Sequence, residues 1–273
     1  DKTYLTLLSQ ITLDKKCDIE NPETFNEKLQ WLKLYDRKPK YTEMADKYEV
    51  KKYVSNIIGE EYIIPTLGIY EKFEDIDFSK LPNQFVIKTT HDSGGVVICK
   101  DKANFDIEYA KNKIEKSLKR KYYNLYKEWA YKNIKPRILI EKYIGDGLTD
   151  YRIYCFNEVP KYIYMYICEY EEKNVDKPEP VNCNIYDTKW ELQNFRQKSL
   201  PTKKTYKKPE QLEKMLELAS KLSRDTKFLR VDFYIVDNRI LFSELTFYPG
   251  GGISKFYPEE ADYMLGKMLD LKD

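Results

Sequence analysis

The sequence predicts an α+β fold, in which amphipathic helices accompany antiparallel strand pairs. Residues 229–252, LRVDFYIVDNRILFSELTFYPGGG, indicate two strands, a tight turn and a glycine-rich exit. Residues 84–100, QFVIKTTHDSGGVVICK, indicate a second hairpin whose loop contains two glycines. Apolar residues at helical spacing recur over 25–32 and 107–118, and either Asn21-Pro22 or the Thr24-x-x-Glu27 pattern is the start signal of the first helix. A chain of 273 residues is long enough for one large domain or two lobes.

The hairpin over 229–252 carries the strongest indication of chemistry. A three-residue turn at 237–239 would pair Val236 with Ile240. Counting outward from that pair sets Asp232 directly opposite Glu244, so the two carboxylates share one face of the sheet. Side chains in such a pair have Cβ atoms about 5 Å apart, and like charges there repel unless a cation lies between them.

Two explanations of this carboxylate pair are open. Mg²⁺ takes oxygen ligands, usually one or two carboxylates plus substrate phosphates, which makes a nucleoside triphosphate the expected partner. Alternatively, Arg230 neutralises both acids in an ordinary ion-pair cluster. The residues alone favour neither explanation.

The loop of the second hairpin has the composition of an anion-binding turn. Lys88 ends the first strand, where its ammonium group could meet a phosphate. The Ser93-Gly94-Gly95 sequence can bring backbone N–H groups close to anionic oxygens. The pattern is neither a Walker loop nor GxGxxG, and a glycine-rich turn without a ligand is the alternative. His91 in this loop is expected to be a plain surface residue rather than a phosphate or substrate contact.

Composition and charge exclude several classes of function. A formal net charge of +2 gives no excess for binding a polyanion, so nucleic acid is disfavoured as the main partner. One histidine excludes a multi-histidine metal site. Five cysteines without a CxxC pair favour reduced thiols. With no apolar run of ~18 residues and no signal-peptide pattern, we expect a cytoplasmic protein without a transmembrane segment.

Three further segments leave alternatives open. Asp75-Ile76-Asp77 has the DxD spacing that many sugar-nucleotide transferases use for metal, or it is a solvated charge cluster. Residues 138–144 form a buried strand that runs into a hinge suited to a flat adenine ring, or an ordinary crossover between lobes. Residues 171–208 are charged and contain proline, which predicts excursion loops that could include a lid. A saccharide-binding module that uses the 25 tyrosines also remains an alternative, although compositional bias explains their number.

Several blocks in fixed order resemble the TupA-like ATP-grasp proteins of polysaccharide and teichuronopeptide biosynthesis clusters. The blocks are FNEKLQWLKLY, ADKYEVKKYV, IKPRILIEKYI, DYRIYCFN, RVDFY and ELTF. The resemblance covers about residues 25–266 and implies the ATP-grasp fold, two α+β lobes whose antiparallel sheets grip ATP, after an N-terminal helical segment. We accordingly expect a helical segment at 1–80, a small lobe with a glycine-rich flap at 81–143, and a C-terminal lobe with a metal site at 144–273.

The resemblance also implies roles for individual residues. Those implied to bind ATP are Lys47, Lys88, Ser93, Gly94, Gly95, Glu141 for the adenine amino group, the backbone of Lys142, Tyr143 and Ile144, and Asp150 for the ribose. Those implied to bind Mg²⁺ are Asp232, Glu244 and Thr246, where Thr246 stands at a position that is Asn in many ATP-grasp enzymes. Arg230 and Lys88 would act at the transferring phosphoryl group. The loop sequence HDSGG departs from the HGSGW expected of many TupA-like members.

The activity implied by the resemblance is that of an ADP-forming ligase with ATP and Mg²⁺ as cofactors. It would join a carboxylate to an amine through an acylphosphate, giving an amide. The expected substrates are a uronic-acid or amino-acid carboxylate and an amine in capsular or exopolysaccharide biosynthesis, with possible association with a polysaccharide assembly machinery. The alternative is a sugar-nucleotide-dependent glycosyltransferase that uses Asp75 and Asp77.

Overall fold

The structure is a computed structural model that describes residues 1–167, 182–202 and 204–272. Its α-helices are α1 (Lys2–Leu13), α2 (Phe25–Tyr35), α3 (Lys40–Ala45), α4 (Glu49–Ile58), α5 (Ile107–Leu118), α6 (Tyr123–Tyr126), α7 (Leu212–Leu222) and α8 (Glu260–Met268). Its strands are β1 (Thr66–Tyr70), β2 (Phe85–Thr89), β3 (Val96–Cys99), β4 (Ile138–Lys142), β5 (Thr149–Phe156), β6 (Val159–Ile167), β7 (Asn182–Asp187), β8 (Phe228–Val236) and β9 (Arg239–Thr246). The α+β prediction is confirmed.

The chain divides into two compact units. The first, called the insert unit, is the continuous segment 38–145. The second, called the split unit, consists of residues 1–37 together with 146–273. The N-terminal helices therefore belong with the C-terminal half of the chain.

This division differs from the predicted segments 1–80, 81–143 and 144–273, because residues 1–80 do not stay together. Pairing of β1 with β4 holds the second half of that segment in the insert unit. Packing of α2 against α8 holds residues 1–37 in the split unit. Long-range pairing of this kind leaves no local signal in the sequence.

The insert unit is built on a four-stranded antiparallel sheet with the order β1-β4-β2-β3. One face of this sheet packs on α5. The buried core there consists of Phe73, Ile76, Leu81, Phe85, Ile87, Val97, Cys99, Ala110, Ile114, Ile138 and Ile140. Because side chains alternate along a strand, Lys88 of β2 and Glu141 of β4 lie on the opposite face.

The β2–β3 hairpin presents the glycine-rich loop at one end of this sheet. The strand ladder ends at the Lys88–Val96 pair, and Thr89 then donates its N–H to the carbonyl oxygen of Gly95 at 2.9 Å. Gly94 has a φ of 98°, which L side chains rarely adopt. The hairpin is present where the sequence predicts it.

The split unit contains a five-stranded antiparallel sheet with the order β7-β6-β5-β8-β9. Helix α7 packs on β5, β6 and β8. Strand β7 falls within the stretch 171–208 that the sequence predicts as loops, and that prediction is wrong for 182–187, where buried Cys183 and Ile185 face the core. Whether the stretch contains a lid is not tested, since 168–181 and 203 lie outside the described residues.

The β8–β9 turn is shorter than predicted, yet the two carboxylates are still opposed. Val236 pairs with Arg239, so the turn has two residues, Asp237 and Asn238, with φ of 48° and 62°. Such left-handed pairs are typical of type I′ hairpins. A register shift between Asp232 and the next residue of β8 adds one residue to β9 and compensates for the missing turn residue.

The glycine-rich exit after β9 is fixed by helix α2. Gln30 donates to the carbonyl oxygen of Gly252 at 2.6 Å, and the buried Lys33 ammonium group donates to that of Gly251 at 2.6 Å. Gly252 has a φ of 63°, and a Cβ there would lie 2.9 Å from Leu29 Cβ, so this approach favours glycine. Helix α2 thereby holds the C-terminal end of β9.

Helix α2 begins at a complete capping box. The Thr24 hydroxyl accepts from the Glu27 N–H at 3.2 Å, while the Glu27 carboxylate accepts from the Thr24 N–H at 3.0 Å. The first turn is also tied to α8, because Asp262 accepts from the backbone and side-chain nitrogens of Asn26. The start that the Thr24-x-x-Glu27 pattern predicts is confirmed.

Four cysteines are free and buried, in agreement with reduced thiols. They are Cys17, Cys99, Cys155 and Cys183, whereas Cys168 lies outside the described residues. Over the described ranges, the helices are too short or too polar to cross a membrane.

We predict that Thr24→Ala lowers the free energy of unfolding by about 1 kcal/mol, because it removes the capping acceptor of α2. Chemical denaturation monitored by circular dichroism measures the change. Thr24→Ser is the matched control and should remain close to wild type. Equal losses for both variants would contradict the capping role.

Candidate functional site

The functional side chains of the insert unit form a lysine cluster, which comprises Lys51, Lys88 and Glu141. Lys88 Nζ lies 2.6 Å from Glu141 Oε2, and Lys51 of α4 is ion-paired with Oε1 of the same carboxylate. Lys51 also donates to the carbonyl oxygen of Ile64 at 2.6 Å. The Lys88 side chain remains 26% exposed, whereas that of Glu141 is 6% exposed. The Lys88 ammonium group is therefore held in place and still accessible.

Burial and charge oppose each other in the lysine cluster. Burial raises the pKa of Glu141, but Lys88 and Lys51 together hold it below the ordinary value of 4.5. Burial lowers the pKa of Lys51, against the attraction of Glu141. Because two lysines share one carboxylate, a positive charge remains that favours an anionic ligand.

The hinge over 141–144 begins at the end of strand β4. The Glu141 carboxylate is paired with two lysines. The Lys142 N–H donates to the carbonyl oxygen of Pro65 at 2.9 Å. Contacts of Glu141 and Lys142 with adenine stay predictions. Tyr143 and Ile144 follow the strand end and are partly exposed, and their contact with adenine stays a prediction.

The residues predicted to bind phosphate lie in and beside the glycine-rich loop. Ser93 and Gly94 are exposed at its tip, and Gly95 is buried at its base. Lys47 Nζ donates to the carbonyl oxygen of Asp92 at 2.5 Å. Lys47 therefore supports the loop in this structure, and its contact with a phosphate stays a prediction.

His91 is buried, with 4% exposure, so its prediction as a surface residue is wrong. Its Nε2 lies 3.1 Å from the carbonyl oxygen of Arg120, and its Nδ1 is buried without a hydrogen-bond partner among the described residues. Burial lowers the pKa of His91. The His91 imidazole thus belongs to the buried base of the hairpin.

The split unit carries a carboxylate row, which comprises Arg152, Asp232 and Glu244. These residues lie on β5, β8 and β9, with Arg152 directly opposite Asp232 and Asp232 directly opposite Glu244. Directly opposed side chains share one face of a sheet. The predicted opposition of Asp232 and Glu244 is therefore present.

Arg230 lies against this row and neutralises part of it. Its Nε is 2.8 Å and 3.1 Å from the two Asp232 oxygens, and its Nη2 is 2.5 Å from Oδ2 of Asp232 and 3.4 Å from Oε2 of Glu244. Burial raises the pKa of Asp232 to about 7, although Arg230 opposes that rise. The ion-pair explanation thus describes this structure, and Glu244, whose side chain is 36% exposed, remains the accessible carboxylate.

Asp150, predicted to bind ribose, extends the carboxylate row. Its Oδ2 accepts from Arg152 Nε at 2.7 Å, and the Arg152 guanidinium group stacks on Tyr166 at 4.0 Å from the ring centroid. Its Oδ1 is buried and accepts no hydrogen bond from the described residues. Asp150 therefore positions Arg152, and its contact with a ribose stays a prediction.

The oxygen atoms beside the row fit a hard divalent cation. Among the described residues, no group of three or more His, Cys, Asp and Glu side chains is arranged as a metal site. Asp232 and Glu244 nevertheless supply the two carboxylates that Mg²⁺ commonly uses when phosphates complete its ligands. Thr246 Oγ1 is buried without a partner in the described structure, opposite Arg230 on the neighbouring strand.

The DxD segment forms an ordinary surface turn. Asp77 accepts from the N–H and hydroxyl of Ser79 and pairs with Lys80 at 3.1 Å, while Asp75 is exposed and Ile76 is buried. The Asp77 carboxylate therefore caps its own turn. This geometry gives no support to a sugar-nucleotide metal site.

The fold and a match to a family model together define an ATP-grasp protein. The crystal structure of L-amino acid ligase from Bacillus licheniformis shares the fold, with a TM-score of 0.55 over 99% of this chain and 62% of that chain at 13% identity. A family model described as TupA-like ATPgrasp matches residues 27–270, so the chain belongs to the TupA-like ATP-grasp family. The resemblance seen in the sequence blocks is confirmed.

Two other similarities carry less weight. The structure of D-alanine-D-alanine ligase from Helicobacter pylori aligns over 90% of this chain and 69% of that chain, with a TM-score of 0.48 and 19% identity. DNA primase small subunit PriS from Archaeoglobus fulgidus is 32% identical over 146 residues, which are 52% of this chain and 40% of the primase subunit. The chain thus spans less than half of that curated relative and less than two thirds of the Bacillus ligase.

Three site residues carry no role in the sequence-based prediction. They are Lys51, Asp92 and Arg152, which the structure places at the lysine cluster, at the glycine-rich loop and in the carboxylate row. Lys51 lies next to Lys52 on helix α4, so no local feature of the sequence distinguishes it from a lysine on a solvated face. Arg152 lies two residues after Asp150, so in a strand the two side chains share one face of the sheet. This spacing could have indicated that Arg152 belongs to the site.

We predict that Glu141→Gln lowers the free energy of unfolding by about 3 kcal/mol at neutral pH, because it leaves buried Lys51 and partly buried Lys88 without a counter-charge. The pKa of Glu141 is lowered in the folded state, so its stabilisation is present above about pH 4.5 and is lost as the pH falls through the folded value. Denaturation of both proteins between about pH 3 and 7 should give curves that converge in acid.

The matched control for this substitution is Glu71→Gln. Glu71 pairs with Lys135 on the surface of the same unit, where both side chains are more than 60% exposed. Its loss should leave the free energy of unfolding close to that of wild type, because solvent screens an exposed ion pair. A pH-independent difference between wild type and Glu141→Gln would contradict the assigned charge pairing.

Proposed function

We propose that this chain is an ATP-dependent carboxylate–amine ligase that releases ADP. The observation that carries the proposal is the direct opposition of Asp232 and Glu244, with Arg230 against both, in a chain of the ATP-grasp family. The accessible ammonium group of Lys88 adds a phosphate ligand.

The proposed reaction has two steps. A carboxylate oxygen of the first substrate attacks the γ-phosphorus of ATP, the bond to the β,γ-bridging oxygen breaks, and ADP leaves with the bonding electrons. An amine then attacks the acyl carbon of the acylphosphate, the acyl C–O bond breaks, and inorganic phosphate leaves as the nitrogen loses a proton. Both steps concentrate negative charge on oxygen, so positioned cations are the main catalytic requirement.

The chain's own residues supply this positioning. Mg²⁺, when bound by Glu244 and Asp232 with Thr246 nearby, would neutralise charge on the outer phosphates. Arg230 binds the transferring phosphoryl oxygens, which requires it to share its donors between Asp232 and the substrate. Lys88 binds phosphate oxygens and is kept in place by Glu141. Ser93, Gly94 and Gly95 cover the phosphates with their backbone N–H groups.

The proposed substrates are a uronic-acid or amino-acid carboxylate and an amine of capsular or exopolysaccharide assembly, and the proposed location is the cytoplasm. Membership of the TupA-like family supports this choice. A panel of uronates, amino acids and amines, incubated with the protein and Mg-ATP, should give an ATP-dependent conjugate that mass spectrometry detects. A product whose mass equals both substrates minus water identifies amide formation.

We predict that Glu244→Gln lowers the rate of substrate-stimulated ADP release at least ~10²-fold, as for the loss of one preorganised electrostatic partner. Glu244 is partly exposed, so the variant should retain its melting temperature. Asp77→Asn is the control, because a sugar-nucleotide transferase would depend on Asp77 and a ligase would not. Full ADP release by Glu244→Gln, or its loss in Asp77→Asn, would contradict the proposed site.

We predict that Mg-ATP raises the melting temperature of the protein and that a Mg-UDP-sugar does not, since a ligand that binds only the native state stabilises it. Differential scanning fluorimetry at saturating ligand measures both shifts. EDTA should reduce the ATP-dependent shift if the cation bridges protein and phosphates. A shift with the sugar nucleotide alone would favour the glycosyltransferase instead.

A further inference from the structure

The glycine-rich loop contains a carboxylate that the proposed chemistry does not use. Asp92 has 1% exposure although it lies in a hairpin loop. Its Oδ1 accepts from the Thr89 hydroxyl at 2.5 Å, and its Oδ2 accepts from the Ser117 hydroxyl at 2.6 Å. Arg120 Nη1 lies 3.2 Å from the same Oδ2. A buried carboxylate is costly unless its lone pairs are occupied in this way.

Two cations secure the loop at further points. Arg120 Nη1 also donates to the carbonyl oxygen of Ser93 at 2.9 Å, so one guanidinium group contacts both the side chain of Asp92 and the backbone of the next residue. Lys47 donates to the carbonyl oxygen of Asp92 itself. The loop is thereby tied to the strand before it, to helix α5 and its end, and to the turn after α3.

Gly95 has no room for a side chain because of this arrangement. A Cβ there would lie 2.1 Å from Thr89 Oγ1 and 2.2 Å from Ser117 Oγ, the two hydroxyls that bind Asp92. The carboxylate network thus occupies the space at the base of the loop. Ser93 and Gly94 remain exposed at the tip, where their backbone is open to a ligand.

We propose that Asp92 is a positioning residue, which holds the loop in the conformation that binds the phosphate groups of a nucleotide. The proposal rests on the proposed function and adds to it the source of the loop's order. A loop fixed in its bound conformation loses less conformational entropy on binding, and backbone N–H groups bind anions only when they converge. Asp92 itself does not touch the ligand; it acts through the backbone of Ser93 and Gly94.

Asp92→Asn tests the proposal with the full-length chain. The amide keeps the size of the side chain but replaces one acceptor oxygen by an NH2 donor. If it replaces Oδ1, the hydrogen bond from the Thr89 hydroxyl is lost. If it replaces Oδ2, the contacts with the Ser117 hydroxyl and with Arg120 are lost. We expect the Kd of Mg-ATP to rise about tenfold, the effect of losing one hydrogen bond to a charged group. The Kd of adenosine, which has no phosphates, should stay unchanged. Isothermal titration calorimetry with both ligands gives the two constants.

Two variants complete the experiment. Asp101→Asn is the matched control, because Asp101 caps an exposed turn of the same unit and should leave both constants unchanged. Arg120→Gln provides a second test if Asp92→Asn does not fold, since the Arg120 side chain is 39% exposed and its loss releases the same loop. This variant should also raise the Kd of Mg-ATP and leave the Kd of adenosine unchanged.

The outcomes separate this proposal from the proposed function. Wild-type protein that binds Mg-ATP no more tightly than adenosine overturns both. If the wild type prefers Mg-ATP and the variants keep that preference, only the role of Asp92 is overturned. An equal rise in the Kd of both ligands also overturns the role of Asp92. Such a result would indicate that Asp92 stabilises the whole unit and does not act on phosphate binding in particular.

Discussion

The register between β8 and β9 is the constraint on which the candidate site depends. In an antiparallel pair, a slip by one residue moves every side chain to the other face, so Asp232 and Glu244 share a face in one register only. The two-residue turn alone would place Asp232 opposite Ser243, and the bulge restores Glu244 to that position. Turn and bulge therefore have to be considered together, because each compensates for the other.

Buried charges are balanced differently in the two units. In the lysine cluster, two ammonium groups share Glu141, which leaves a positive charge suited to phosphate oxygens. In the split unit, Asp150, Asp232 and Glu244 face two arginines, which leaves a negative charge suited to a cation. Neither cluster is fully neutralised by its own residues. In each unit the remaining charge is close to a partly exposed side chain, Lys88 in the lysine cluster and Glu244 in the split unit, where solvent or a ligand can reach it.

Local patterns predict the elements of this chain well and its long-range contacts poorly. The Thr24-x-x-Glu27 box, the glycine-rich hairpin and the opposed carboxylates are all present, because each depends on residues close in sequence. Burial of His91, the pairing of Lys51 with Glu141 and the separation of residues 1–37 from 38–80 could not be predicted, because each depends on partners far along the chain. Strand β7 has a weak signal in the sequence, because its apolar positions lie within a charged stretch.

The discontinuity of the split unit bears on how the chain is made. Contacts within the insert unit connect residues of one uninterrupted stretch, so all of these partners are available once that stretch has left the ribosome. The first turn of α2 instead lacks its contact with Asp262 until the end of the chain has been made, because Asp262 is separated from Asn26 by 236 positions. Until that acidic partner is synthesised, the apolar surface around Phe25 has no completed core, and the nascent chain exposes it to chaperones or to other chains.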